Sequence, residues 1–576
     1  MAGPIPPVRL ALAQLNPRVG DLEGNAAKAR EAVIRARDEG AEVVLLPELV
    51  ISGHPAEDLL LQERFLLDCE EALRHAAGAA DGVVALIGFP ERADDVYDAM
   101  AVCADGVVRA VYRKNVIPRH GILDEHRHFQ PGTSAAVLEF GGARLGLAIG
   151  EDLWAPGPPA EAAALAGAQL LLAAAAAPYH RGEGVARERM LVQRARDTVA
   201  AIAFCNLVGG QDDLVFDGHS IVCDHEGEVI ARAPQFEEAI VHATVDVQAA
   251  ATSRLRQARR RPAAAAGLPQ VDRAGSFVRS EHPRPVPLVR DVAPLLDPLS
   301  EIHQALVLAT RDHVEKNGFG HACVGLSGGV DTTLVALIAV DALGARNVTG
   351  VVLPSRYSAE DKQADARRLA ANLGMECLEV PIEPAVEALA TMLDPLFADR
   401  EPDLTEEHLQ SRIRGTVLTG LSSKFGGLVL GAGTKSEAAI GSTTTLDGGA
   451  GGFAVIKDVL KTRVYELVGH RNEQAGGSLV PAAILSRPPS AELGSDRRAD
   501  TLPDYDMLDL ILERALEHDA SRSQLVAAGV PEIAIERVLE LVDRNEARRR
   551  QQPPGPRVTP RAFGRDRRMP ITGVGH

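Results

Sequence analysis

The stretch Leu326-Ser-Gly-Gly-Val-Asp-Thr-Thr333 constrains the fold of this chain more than any other. One apolar run, His321-Ala-Cys-Val-Gly-Leu326, leads into it, and another, Leu334-Val-Ala-Leu-Ile-Ala339, leads out. That order predicts a strand, a tight glycine loop and a helix, which is a building block of an α/β fold with a parallel sheet. Gly328 and Gly329 let the backbone come close to a bound group, with Val330 opening the helix behind them. Ser327 and Thr332 add hydroxyl donors, and the helix presents its N-terminus to an anion. Asp331 is placed to orient the loop or a Mg²⁺ ion. The loop suits the pyrophosphate of ATP, yet it matches neither the G-x-x-x-x-G-K-[ST] pattern nor the dinucleotide pattern.

At 576 residues the chain is too long for one ordinary domain. A formal net charge of -18 argues against a nucleic-acid or anionic-membrane surface. The longest greasy stretch, Leu165 to Ala177, is too short and too rich in Ala for a membrane span. Met1 to Arg9 lacks the basic and apolar segments of a signal peptide, so a cytoplasmic protein is expected. None of the six cysteines forms a Cys-x-x-Cys pair and no His-Glu-x-x-His run occurs, so buried free thiols and no structural zinc are expected.

Strands and helices alternate through the first half. Strands are predicted at Val8 to Gln14, Ala41 to Pro47, Gly82 to Phe89, Leu145 to Ile149 and Val199 to Phe204, and helices at Asn25 to Glu39 and Gly184 to Thr198. Tyr97 to Val111 reads as a strand pair turning at Asp105-Gly106, and Ser220 to Ala231 as a hairpin. Arg, Ala and Pro without period fill the connector from about 256 to 297. A second α/β unit starts near Pro298. Its predicted helices are Glu301 to Lys316, Thr333 to Leu343, Ala359 to Leu373 and Thr405 to Leu421. Its strands are Val348 to Leu353, Met375 to Ile382 and Leu428 to Leu430. Lys435-Ser-Glu437 follows the last of these, where Lys435 would neutralise charge on phosphorus and Glu437 would hold Mg²⁺.

The second half, from about Pro298 to Ile571, resembles the synthetase domain of NAD synthetases. The resemblance is carried by Gly325-Leu-Ser-Gly-Gly-Val-Asp331, Leu409-Gln-Ser-Arg-Ile-Arg-Gly415, Lys435-Ser-Glu437, Lys457-Asp458, Pro489-Ser-Ala-Glu-Leu493 and the run Thr559 to Ile571. It implies a Rossmann-like PP-loop fold in which ATP adenylates the carboxylate of deamido-NAD and ammonia displaces AMP. It also implies a homo-oligomer. Arg412 and Arg414, two apart on one helix, face different ways, so one would meet the dinucleotide. Against the family pattern, His408 replaces Asn, Ala432-Gly-Thr434-Lys435 replaces Thr-Gly-Asn-Lys, Leu446-Asp447-Gly448 replaces Tyr-Gly-Asp and Arg548 replaces Lys. His408, Arg412 and Arg548 remain candidates for holding nucleotide.

The first half, from about Val8 to Ala249, resembles the nitrilase-like carbon–nitrogen hydrolase domain that supplies ammonia in glutamine-dependent NAD synthetases. Leu46-Pro-Glu-Leu49, Tyr112-Arg-Lys-Asn115, Glu151-Asp-Leu-Trp154, Pro178-Tyr-His180 and Val208 to Gly218 carry that resemblance. It implies an α-β-β-α sandwich with a Glu base, a Lys that stabilises the oxyanion and a Cys nucleophile. Glu48 and Lys114 match the first two, and Gly150 stands at the third. Ala173 to Ala177 replaces a polar run, Glu183 a Lys and His120 a Tyr. A glycine cannot attack an amide.

These readings predict a nitrilase-like domain at 1–255, a linker at 256–297 and a synthetase domain at 298–576. The expected enzyme is an ATP- and Mg²⁺-dependent ligase forming NAD with ammonia in place of glutamine. The alternatives are a ligase that adenylates a different carboxylate and an inactive homologue.

Overall fold

The computed structural model describes residues 5–118, 122–256, 270–279, 291–356, 358–397, 400, 404–442, 452–487 and 502–572. His120, the connector at 257–269, the run 446–448 and the motif 489–493 lie outside the described residues. The chain divides into two compact units, Met1–Gln211 with Val215–Leu296, and Asp297–His576 with Asp212–Leu214.

In the strand Val8–Gln14 the side chains alternate between faces, and both faces are covered. Leu10 and Leu12 enter a core between two sheets, while the small Ala11 and Ala13 face helices. The first sheet has six strands in the order Ala239–Val245, Val8–Gln14, Val43–Leu45, Val84–Arg92, Val96–Ala104 and Val107–Arg113. Leu22–Asp38 and Glu63–Ala77 pack Ala29, Val33, Cys69 and Leu73 on its outer face. The second sheet has seven strands, Val229–Arg232, Ile221–Cys223, Ala201–Asn206, Leu170–Ala175, Ala143–Ile149, Ala135–Phe140 and Val271–Phe277 in that order. Ala160–Leu165 and Glu183–Thr198 cover it from outside through Ala163, Leu191 and Ala195. The result is the expected α-β-β-α sandwich. The greasy run of the sequence is Leu170–Ala175, a central strand buried at every residue. No helix among the described residues is long and apolar enough to cross a membrane.

Part of the expected linker is not a connector. Val271–Phe277 pairs in parallel with Ala135–Phe140 as the seventh strand. A register shift between Arg273 and Ser276 breaks its alternation, which is why the sequence shows no period of two.

In the second unit Asp297 caps the helix Pro298–Lys316 by accepting from Leu299 and Ser300, with Pro at its first turn. Five parallel strands follow the order Glu376–Glu379, Val348–Val352, Ala322–Gly325, Leu428–Gly431 and Phe453–Ala454. The chain builds to one side of Ala322–Gly325 and then crosses to the other. The loops after Ala322–Gly325 and Leu428–Gly431 therefore meet at a topological switch point, where open α/β sheets bind ligands. The helix after the glycine loop is Val330–Leu343, starting before the predicted Thr333, so Asp331 and Thr332 sit in its first turn. This is the expected Rossmann-like PP-loop unit.

Candidate active sites of the two units

Glu48 follows the strand Val43–Leu45, Lys114 follows Val107–Arg113, and Gly150 follows Ala143–Ile149. Asp152 ties two of these strand ends together. Its buried carboxylate accepts from Ile149 N at 3.0 Å, Asn115 N at 3.0 Å, Val116 N at 2.9 Å and the Tyr112 hydroxyl at 2.7 Å. Glu48 comes close to the next strand because Gly88 has no side chain. A Cβ there would lie 2.8 Å from the Glu48 Cα and 2.4 Å from the Pro47 carbonyl.

Lys114, only 2% exposed, sends its ammonium to Glu48 at 2.6 Å, to Glu125 at 2.5 Å and to Asp98 at 3.4 Å. Glu48 also accepts from Ala176 N at 2.7 Å. The sequence reading missed Asp98 and Glu125. The three carboxylates approach within 4.8 Å of one another, a spacing open to a metal ion, but the Lys114 ammonium already holds that place. Three buried acids around one cation cannot all ionise. Burial, with the charge of Glu48 added, pushes the Asp98 carboxyl well above its ordinary range. Burial alone would also raise Glu48, but Lys114 and a bond from Asp98 outweigh it and hold Glu48 below the usual value. Lys114 is held well above its usual value, because the three acids outweigh the pull of burial.

Burial pushes Glu125 up to about 7, against the pull of Lys114. A carboxyl raised on folding keeps its proton longer in the folded state. Its contribution to stability is complete below the ordinary value of 4.5 and is lost as pH rises through about 7. The urea midpoint of the wild type, taken relative to Glu125→Gln, is expected to fall across that window. Parallel pH profiles for the two proteins would remove Glu125 from the account.

Gly150 turns with φ +44° and ψ −106° into the short helix Glu151–Trp154. A Cβ at this position would lie 2.9 Å from Glu48 Oε2 and 3.3 Å from Lys114 Nζ. A side chain here would thus touch both members of the predicted pair, and there is none. Five cysteines are buried and Cys377 is exposed. Burial raises the thiol of all six, Cys69 and Cys103 to about 12, so none is an activated thiolate. Cys205 belongs to the core between the sheets. Glu183, at the reversed charge, pairs with His180 at 2.8 Å.

In the second unit Gly328 takes φ +77°, and Gly329 caps the following helix without a side-chain bond. Gly329 N donates to Ser327 Oγ at 3.2 Å, and Ser327 Oγ and Thr332 Oγ1 share a bond of 3.2 Å. Across the switch point, Lys461 Nζ bonds Asp331 and lies 3.2 Å from Glu437 Oε1. Burial alone would lower Lys461, but Glu437 and Asp331 hold it above its ordinary value. The other Glu437 oxygen completes a capping box with Thr434. Two carboxylates gathered beside a phosphate loop fit Mg²⁺, which takes one or two such oxygens together with phosphate.

The lysine at this acidic pair is Lys461, not Lys435. Lys435 is fully buried, and its ammonium is committed to Asp458 at 3.0 Å, Glu517 at 2.9 Å, Thr559 at 2.6 Å and the Arg561 carbonyl at 2.9 Å. A cation so surrounded ties strand ends and the C-terminal segment together and does not present charge to phosphate. Val330 is buried in the first turn of its helix. His408, half-buried, and Arg412, exposed, lie on Leu404–Phe425. Arg414 donates to the Leu353 carbonyl at 3.3 Å. Arg548 donates to the Gly441 carbonyl at 2.8 Å, closing the end of the helix Lys435–Ile440.

Fold and sites together define a class: an amide-hydrolase sandwich and a phosphate-loop nucleotide unit on one chain. Residues 9–254 match the carbon-nitrogen hydrolase family and residues 302–553 the NAD synthase family. Over 571 residues the chain is 42% identical to the glutamine-dependent NAD(+) synthetase of Thermotoga maritima, covering 98% of both. It is 44% identical to that of Xanthomonas campestris pv. campestris, covering 98% of this chain and 97% of the relative. The solved structure of glutamine-dependent NAD+ synthetase from Acinetobacter baumannii, in complex with adenosine diphosphate, is similar with a TM-score of 0.75 at 36% identity over 98% of each chain. The chain belongs to the glutamine-dependent NAD(+) synthetase family.

Proposed function

We propose that this chain is a ligase that converts deamido-NAD to NAD with ATP, taking its nitrogen from ammonia and not from glutamine. Family membership and the loop Ser327 to Thr332 at a switch point support the first part. The carboxylate of deamido-NAD attacks the α-phosphorus of ATP and pyrophosphate leaves. Ammonia then attacks the acyl carbon, and AMP leaves with the electrons of the acyl–oxygen bond. The loop N–H groups and the Ser327 and Thr332 hydroxyls hold the pyrophosphate, as an oxyanion site holds developing charge. Lys461 adds positive charge beside Asp331. Asp331 and Glu437 would hold Mg²⁺, which supplies further neutralisation of phosphate charge. His408 and Arg412 are the candidates to meet the dinucleotide.

One observation carries the second part. Gly150 faces Glu48 and Lys114 with no atom able to attack an amide. In this reading the Glu48–Lys114–Glu125 cluster survives as a buried ion network that holds strand ends together.

The test is to incubate the protein with Mg²⁺, ATP and deamido-NAD, offering ammonium or glutamine, and to follow NAD and AMP. NAD from ammonium alone is the expected result. NAD from both donors overturns the reading of Gly150. NAD from neither, with ATP still bound, points to a different acid or to a protein that no longer catalyses.

A further inference from the structure

Arg487 ends the short helix Ala482–Ser486, far in sequence from the phosphate loop, yet its guanidinium reaches that loop. Nη1 donates to the Gly328 carbonyl at 3.3 Å. Nη2 donates to Asp361 at 2.9 Å and Asp365 at 2.5 Å. The backbone of Arg487 is itself held, its N–H donating to the Ala483 carbonyl at 3.2 Å and its carbonyl accepting from the Tyr465 hydroxyl at 3.0 Å. On its other side Gly328 packs on the Lys362 carbonyl so closely that a Cβ would lie 2.1 Å from that oxygen.

The consequence lies in one peptide plane. In a trans peptide the C=O and the following N–H point in opposite directions. The carbonyl of the Gly328–Gly329 peptide is taken by Arg487, so the Gly329 N–H must point the other way. It does so, toward Ser327 Oγ on the exposed side of the loop. Glycine on both sides of this peptide lets the plane rotate at little cost. A rotated plane would offer a carbonyl oxygen where phosphate needs a donor. The charge of Arg487 is already met by two carboxylates, so it contributes little direct attraction to a phosphate.

We propose that Arg487 is a positioning residue that locks the Gly328–Gly329 peptide with its N–H toward the nucleotide phosphates. The proposal deepens the ATP reading and rests on it. Titration calorimetry on the full chain tests it with three ligands: ATP, pyrophosphate and adenosine. Arg487→Ala is expected to weaken ATP and pyrophosphate by about ten-fold or more, the scale of one hydrogen bond to a charged group, and to leave adenosine unchanged. Arg487→Lys, which keeps a donor, should recover most of the loss. The triple variant R487A/D361N/D365N removes the uncompensated acids and should remain weak. Unchanged ATP affinity in Arg487→Ala, recovery in the triple variant, or an equal loss for adenosine would each overturn the proposal. A wild type that binds neither ATP nor pyrophosphate sinks the ATP reading itself, and the proposal with it.

Discussion

Lys114→Met is expected to destabilise the protein by about 3–5 kcal/mol, the cost of stripping one partner from a buried ion network. The lysine is the cation shared by Glu48, Glu125 and Asp98. Without it, Glu48 keeps only the Ala176 N–H among the bonds described above, and ionised carboxylates face each other with no counter-charge. The acids would take up protons, so the loss should be larger at high pH than at low pH. Removing charge from both sides, with Glu48→Gln and Glu125→Gln added to Lys114→Met, should return most of the stability. Urea melts of the single and triple variants decide the matter. A single variant as stable as the wild type would mean that water reaches the cluster and pays its desolvation.

The second large effect is expected at Gly328. Gly328→Ala adds a methyl group 2.1 Å from the Lys362 carbonyl oxygen at a residue with φ +77°. Both the clash and the left-handed backbone oppose it, and the obstacle is main chain that cannot swing away. The loop must move by a sizeable fraction of an ångström. Displacement on that scale costs a reaction on the order of a hundred-fold. ATP–pyrophosphate exchange should fall by about that factor while the far-ultraviolet circular dichroism stays unchanged. Exchange within about two-fold of wild type would show that the loop does not hold the reacting phosphates.

What could be read from the sequence was local. Ser327 to Thr332 announces itself because the strand, the loop and the helix adjoin in the chain. Glu48, Lys114 and Gly150 stand out because each closes a strand within a short motif. The partners that complete the first cluster come from elsewhere. Asp98 lies inside the strand Val96–Ala104, and Glu125 in a one-turn helix, with no motif around either. Only the pairing of Val96–Ala104 with Val107–Arg113 brings Asp98 beside Lys114. The choice between Lys435 and Lys461 was closed to sequence for a similar reason. Both follow loops at the same edge of the sheet. The capping box of Thr434 and Glu437 fixes the phase of the helix, and that phase sends Lys435 into the interior. Arg487 reaches the loop across more than a hundred residues, a contact no spacing rule anticipates.

The seventh strand of the second sheet also determines where this chain can be cut. A fragment ending near residue 256 would keep every residue of the candidate amidase site and still lose Val271–Phe277. Ala274 leaves the core between the sheets with it, and so does the half-buried Phe277. Ala135–Phe140 would then become a bare edge, with unpaired N–H and C=O groups beside newly uncovered apolar surface. Such an edge is a template for joining strands from other molecules. Half of this protein made to the shorter boundary would be sticky for a reason that has nothing to do with its chemistry.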